Sequence, residues 1–242
     1  MSILARLTAS GGLAVLIDPS RTSPDEAEQV AARAAGEGVA ALLVGTSYAD
    51  EANVGTVARA MKRAAPEIPL LEFPGAASHL VPDVDAVLLL SLVSGRNAQY
   101  LIEEHVRAVP FFERHPDVEP ISTAYLLIDG GEVTSVEAVS QTRPLPAGKP
   151  ELVSAHVRAA MLVGMVAAYL DAGSGARRPV SPVLIRAARA ATRGPLFVGG
   201  GVRTPDAVRA ARDAGADFVV VGTLLERQGA PAVRELALAA RA

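Results

Sequence analysis

Short apolar runs alternate with longer stretches of helical spacing along the chain. Residues 13–18, 39–44, 69–72, 86–92, 121–129 and 166–170 read as strands: short, apolar and rich in β-branched or leucine side chains. Two more runs complete the series. One ends at Val198 before Gly199-Gly200-Gly201, and the other, 218–221, ends at Gly222-Thr223. Between them lie helical patterns. Ser23 caps a helix that begins at Pro24 and ends near Gly36. Others are expected from the GTSYADEAN segment to about Ala65 and over 97–109, 152–163 and 182–192. A further helix starts at Thr204-Pro205-Asp206, with proline inside its first turn, and stops at Gly215; the last covers 231–240. The segment FPGAASHLVPD is too broken for a full helix, and 132–150 is irregular. Eight βα units with parallel connections predict a single (β/α)8 TIM barrel over residues 1–242, its third helix irregular or incomplete.

Length and composition agree with that fold. The chain has 242 residues, close to the ~250 typical of one such barrel. Its net charge of −3 implies no general basic surface for nucleic acid. Cysteine is absent, which excludes disulfides and thiolate metal sites and fits a reducing compartment, so a cytoplasmic protein is expected. The first residues show no sustained apolar segment of signal-peptide type. No apolar run approaches the ~18 residues of a transmembrane helix.

The two glycine turns carry the most chemistry. Gly199-Gly200-Gly201 and Gly222-Thr223 lie one βα unit apart, at the ends of strands seven and eight. In this fold that is where backbone N–H groups cradle a phosphate. The same glycines would also serve plain tight turns. Active sites of such barrels lie at the C-terminal strand ends, so the polar residues there are the candidates. Asp18, after the first strand, is a candidate Mg2+ ligand, and Ser47, after the second, can supply a neutral oxygen. Asp18 and Asp171 are the only carboxylates that look well placed for chemistry. That is too few for an all-protein metal cage, so any Mg2+ would ride on a phosphorylated ligand. Tyr169 and Asp171 share one strand face, where a phenol and a carboxylate can polarise a hydroxyl. Gly173-Ser174-Gly175 follows as an open, donor-rich loop. Arg96 could meet a second anionic group, although an exposed loop arginine is commonly a surface residue. Asp129, before Gly130-Gly131, reads as a turn residue. The four histidines show no metal spacing.

The segments LIDPS (16–20), VGTSYAD (44–50), LSLVSGRN (90–97), AYLLIDGGEVTSVEAVSQTRPLP (124–146), YLDAGSGA (169–176), FVGGGVRTPDAV (197–208) and VVVGTLLE (219–226) span nearly the whole chain. In this order they resemble the geranylgeranylglyceryl phosphate synthases, a group that includes the bacterial heptaprenylglyceryl phosphate synthases. The glycine motifs are common to many phosphate-binding barrels; YLDAGSGA, LLIDGGEVTSVEAV and LSLVSGRN are the specific ones. The resemblance implies Mg2+-dependent transfer of a prenyl group from a polyprenyl diphosphate to the 3-hydroxyl of sn-glycerol 1-phosphate. It implies Asp18 and Ser47 as metal ligands. Tyr169, Leu170, Asp171, Ala172, Gly173, Ser174, Gly175, Gly200, Gly201, Gly222 and Thr223 would form the glycerol-phosphate site, with Asp171 and Tyr169 acting on the hydroxyl. The group often carries glutamate where Asp171 stands, and lysine near its first-strand aspartate, where this chain has Leu16 and Arg21. A homo-oligomer, with transient membrane contact for the lipid substrate, is expected. Two other readings stay open. One is a sugar-phosphate isomerase barrel using Asp18 and Asp129 as its acid–base pair. The other is a non-catalytic barrel that senses a phosphorylated ligand.

Overall fold

In a computed structural model, residues 1–46 and 51–241 are described. Eight strands close into a barrel in chain order: β1 Gly12–Ile17, β2 Ala41–Val44, β3 Leu70–Glu72, β4 Ala86–Leu92, β5 Glu119–Leu127, β6 Ala167–Asp171, β7 Leu196–Gly199 and β8 Phe218–Val221. Every pairing is parallel, and β8 pairs back onto β1, as in Gly12↔Phe218 and Val15↔Val221. The expected strands are all present: 86–92 and 218–221 match β4 and β8, and the ends of the others shift by at most two residues. One shift matters: β5 stops at Leu127, so Asp129 lies beyond the strand rather than at its tip.

Period-two alternation divides the strand residues between two apolar layers. Leu13, Val15 and Ile17 of β1 face the helices, as do Leu126 of β5 and Leu170 of β6. Ala14, Leu43, Leu88, Ile121, Tyr125, Tyr169, Phe197 and Phe218 face the barrel interior. The helices between strands are α2 Pro24–Gly36, α3 Glu51–Ala64, α4 Glu104–Arg114, α6 Pro150–Leu162, α7 Pro182–Arg189 and α8 Pro205–Asp213; α10, Ala232–Ala240, ends the series. Ser23 caps α2 in a full capping box with Glu26, and Thr204 caps α8. The third unit has only a 3-10 turn, Ala77–His79, in place of a helix.

Four features depart from the sequence reading, three of them in loops or helix openings. Residues 97–109 do not form one regular helix: a π-turn, Gln99–Glu103, opens the segment, and α4 then runs through Pro110 to Arg114. The carbonyl that loses its partner at Pro110 belongs to Val106, which is exposed, so water can satisfy it. Inside the irregular 132–150 segment lies a short helix, α5 Ser135–Ser140, capped by Thr134. Another, α9 Thr223–Gln228, follows β8, in the position where these barrels often carry a short extra helix.

The first helix, α1 Ile3–Thr8, also has no counterpart in the sequence reading. Ala14, Ala41, Ala86 and Ala167 belong to the interior cluster, and Leu7 of α1 joins that same cluster, 1% exposed. Glu119 at the start of β5 holds α1 in place, accepting from the Ile3 N–H at 2.6 Å and the Leu4 N–H at 3.2 Å. Leu7→Ala is expected to cost about 2–5 kcal/mol, the range for truncating a buried leucine. Urea unfolding measures it; a loss below about 0.5 kcal/mol, the scale of a surface change, would show that α1 does not pack into the barrel.

Candidate active site

The C-terminal strand ends surround a polar cleft of about 1130 Å³. Asp18, Ser20, Arg21 and Thr46 line it from the ends of β1 and β2, and Tyr169, Asp171, Ser174, Gly175, Gly200, Gly201, Arg203, Gly222 and Thr223 from the ends of β6, β7 and β8. The structure therefore gathers most of the sequence-predicted residues at one mouth. Leu170 and Ala172 differ: their side chains belong to the outer apolar layer, so only their backbone can face a ligand. Ser47 lies outside the described residues.

Asp171 is the buried centre of the cleft. One carboxylate oxygen accepts the Tyr125 hydroxyl at 2.6 Å, and the other accepts the Gly173 N–H at 2.7 Å. Burial pushes the Asp171 carboxyl above its ordinary range, and these two hydrogen bonds pull it partly back. Burial, reinforced by the Asp171 charge, holds both Tyr125 and Tyr169 well above the usual phenol range, so both stay protonated. The sequence alone does not single out Tyr125: only the register of β5 and β6 brings it opposite Tyr169, on the inward face two residues from the end of β5.

Three aromatic rings meet at the same place. Phe73 lies 5.7 Å from Tyr125 and 4.9 Å from Tyr169, and the two tyrosines are 5.6 Å apart. Phe73 and Tyr125 also line a second, apolar cleft of about 750 Å³. Its walls are Leu80, Leu89, Leu90 and Leu92, with Tyr100, Ala108 and Val139 beyond. Thr46, Phe73, Tyr125 and Val136 are common to both clefts, so a polar chamber and an apolar groove share a wall beside Asp171.

Asp18 follows β1, the neighbour of β8 in the ring. One carboxylate oxygen accepts from the Ser20 N–H (2.9 Å) and hydroxyl (2.7 Å); the other accepts from Thr46 (3.1 Å) and lies 3.8 Å from Arg21. At the glycine turn, φ is +79° at Gly200 and +68° at Gly201. A β-carbon on Gly200 would lie 2.6 Å from an Asp171 carboxylate oxygen, and one on Gly201 would lie 2.9 Å from the Arg178 carbonyl group. These glycines are thus required by the packing of the turn against the β6 loop, whether or not a phosphate is bound.

The remaining candidates fall outside the cleft. Asp129 is exposed and accepts the Gly131 N–H at 2.8 Å, a turn role. The isomerase reading thereby loses its second carboxylate. Arg96 is exposed and donates to the Gly95 carbonyl at 2.6 Å. His105 bonds the Leu90 carbonyl at 2.9 Å, and His156 the Leu152 carbonyl at 2.7 Å. Among the described residues, no three His, Cys, Asp or Glu side chains group as a metal site. No helix among them is long and apolar enough to cross a membrane.

Comparison with known proteins adds an independent line. The PcrB family model matches residues 10–240. A geranylgeranylglyceryl phosphate synthase of Spirosoma linguale is 40% identical over 94% of this chain and 91% of its own. One from Methanopyrus kandleri is 39% identical over 88% and 87%. Among solved structures, (S)-3-O-geranylgeranylglyceryl phosphate synthase from Thermoplasma acidophilum, in complex with its substrate sn-glycerol-1-phosphate, superposes with a TM-score of 0.91. The two are 29% identical, with 99% and 98% of the chains covered.

The buried carboxylate has a consequence for stability. The folded state binds the Asp171 proton more tightly than the unfolded chain does. Stability from this group is therefore full in acid, below the unfolded pKa, and is lost as pH rises through the folded pKa. Asp171→Asn is expected to raise the urea midpoint at pH 7. The gain should vanish below about pH 3.9, where an unfolded aspartate takes up its proton. A midpoint lowered at pH 7 would mean that the two hydrogen bonds outweigh the burial.

Proposed function

The chain belongs to the PcrB family, and from that premise we propose that it joins a polyprenyl chain to the 3-hydroxyl of sn-glycerol 1-phosphate through an ether bond, releasing diphosphate. One observation carries the reading: a polar cleft with a glycine-lined phosphate end and an apolar groove share a wall of four residues beside a buried carboxylate. A barrel that merely senses a phosphorylated ligand has no use for that second, apolar chamber. The reaction needs both chambers and a base where they meet.

In this reading the acceptor phosphate lies among Ser174, Gly175, Gly200, Gly201, Gly222 and Thr223, and the prenyl chain lies along Leu89, Leu90 and Leu92. The bond between the allylic carbon and the diphosphate oxygen breaks, and its electron pair leaves with the diphosphate. The glycerol 3-oxygen bonds that carbon, and its proton passes to Asp171. The raised affinity of Asp171 for a proton suits it to this role. Phe73 and Tyr125, which line both chambers, put π-electron density where it would stabilise positive charge on the allylic carbon. The apolar wall keeps water from that carbon. Tyr125 holds the carboxylate in place through its 2.6 Å hydrogen bond.

Mg2+ fits the donor set on the β1 side. Asp18 offers one carboxylate, 19% exposed, beside the hydroxyls of Ser20 and Thr46. A single carboxylate among neutral oxygens suits a hard cation that keeps waters and takes substrate phosphates as its other ligands. Asp18, with Ser47, would hold it there. When bound, it supplies charge neutralisation for the departing diphosphate. The donor we propose is a polyprenyl diphosphate of the geranylgeranyl class. The protein would work as a homo-oligomer in the cytoplasm and meet a membrane only to collect or release lipid.

Purified protein supplied with sn-glycerol 1-phosphate, Mg2+ and C15 to C35 prenyl diphosphates should yield the ether, seen by mass spectrometry. No product with any donor would refute the assignment. Asp171→Asn keeps the shape and removes the basic oxygen, so kcat is expected to fall by ~10²–10⁴, the usual contribution of a positioned acid–base group. Calorimetry should show acceptor binding changed far less. Retained kcat at saturation would leave Asp171 as a binding residue. Asp18→Asn is expected to abolish Mg2+-dependent turnover while acceptor binding survives; an unchanged Mg2+ profile would remove Asp18 from the metal site.

A further inference from the structure

We propose that Arg203 is the cationic residue of the acceptor's phosphate site, tying down the loop that follows β6 and offering its remaining donors to the phosphate. The proposal rests on the acceptor reading above. Arg203 comes two residues after Gly201 and immediately precedes the α8 cap, Thr204, so a rigid element carries it. Its side chain lines the polar cleft. Nη2 donates to the carbonyl oxygens of Gly175 at 3.0 Å and Ala176 at 2.8 Å. Nε and Nη1 make no hydrogen bond, and the guanidinium no ion pair, among the described residues.

The loop needs such a tie. Gly173 and Gly175 have φ of +89° and +79°, and a β-carbon on Gly175 would find nothing within 4 Å. Gly173 packs against Thr134, so the freedom to be lost lies at Gly175, where Arg203 is bonded. The same loop supplies the Gly173 N–H that bonds Asp171, and Ser174, whose hydroxyl lies 3.4 Å from that of Thr223. Charge gives a second reason. The charged side chains lining the cleft are Asp18, Arg21, Asp171 and Arg203. Arg21 is engaged by Asp18 beyond β1. A phosphate at the glycine turns would face the Asp171 carboxylate, and Arg203, whose guanidinium pairs with no carboxylate among the described residues, is a cation available to offset it. The planar fork of arginine can hold two carbonyls and still present donors, whereas a lysine ammonium is a point charge.

The test compares wild type, Arg203→Gln and Arg203→Lys. Calorimetric titration with sn-glycerol 1-phosphate should show Kd raised at least tenfold in Arg203→Gln. The KM for the prenyl diphosphate should move less than twofold, and the melting temperature should hold because the side chain is exposed. Arg203→Lys should recover part of the affinity, while amide hydrogen exchange across residues 173–176 rises in both variants. If wild type binds the acceptor and Arg203→Gln binds it equally well, the proposal is wrong. If wild type does not bind sn-glycerol 1-phosphate at all, the acceptor reading is what fails. A lysine variant matching wild type in both affinity and exchange would reject the tie. Equal weakening toward both substrates with a lowered melting temperature would make Arg203 a structural residue and overturn its place in the site.

Discussion

Closure of eight parallel strands into a ring is the constraint on which the rest depends. A closed parallel sheet has no free edge, and every strand delivers its C-terminus to the same rim. Residues far apart in the chain, such as Asp18 and Gly222, thereby meet around one opening. Closure also leaves each strand residue only two directions, inward or outward. Tyr169 and Asp171 point inward because they lie two apart; Leu170 between them packs against the helices. The chemistry of the rim is set by that parity.

Within the ring, the decisive local balance is between desolvation and hydrogen bonding at Asp171. A carboxylate taken from water is costly, and here a phenol and a backbone N–H compensate it only in part. The shortfall is chemically useful, because a carboxylate that favours its proton more than usual is a better base. The same arrangement orders the surroundings. Gly200 has no side chain because the Asp171 carboxylate and the β6 loop occupy that space, and Gly199 lacks one because the Tyr169 hydroxyl would lie 2.5 Å from its β-carbon.

Much of this was legible in the sequence. Strands announced themselves because both faces are apolar, and the glycine turns stood out because Gly200 and Gly201 carry positive φ. Asp18 and Asp171 could be picked because strand ends are predictable. Tyr125 escaped because its part depends on register: only the pairing of β5 with β6 puts it opposite Tyr169. Arg203 escaped because its partners are backbone carbonyls, which leave no trace in side-chain identity. The apolar groove was hidden for another reason. It exists where the third helix is replaced by a single 3-10 turn, and α4 is approached through a π-turn. A missing element shows in a sequence only as irregularity.

The way α1 is held bears on the order in which the molecule can assemble. Its two anchoring N–H groups bond a carboxylate 116 and 115 residues further along the chain. On a ribosome, α1 emerges long before Glu119 exists, and the interior cluster that Leu7 joins also includes Phe218 of β8, made later still. α1 is thus synthesised well before its seat exists. Until then the helical turn bearing Leu4 and Leu7 stays undocked, its apolar side without the interior cluster that covers it in the finished barrel.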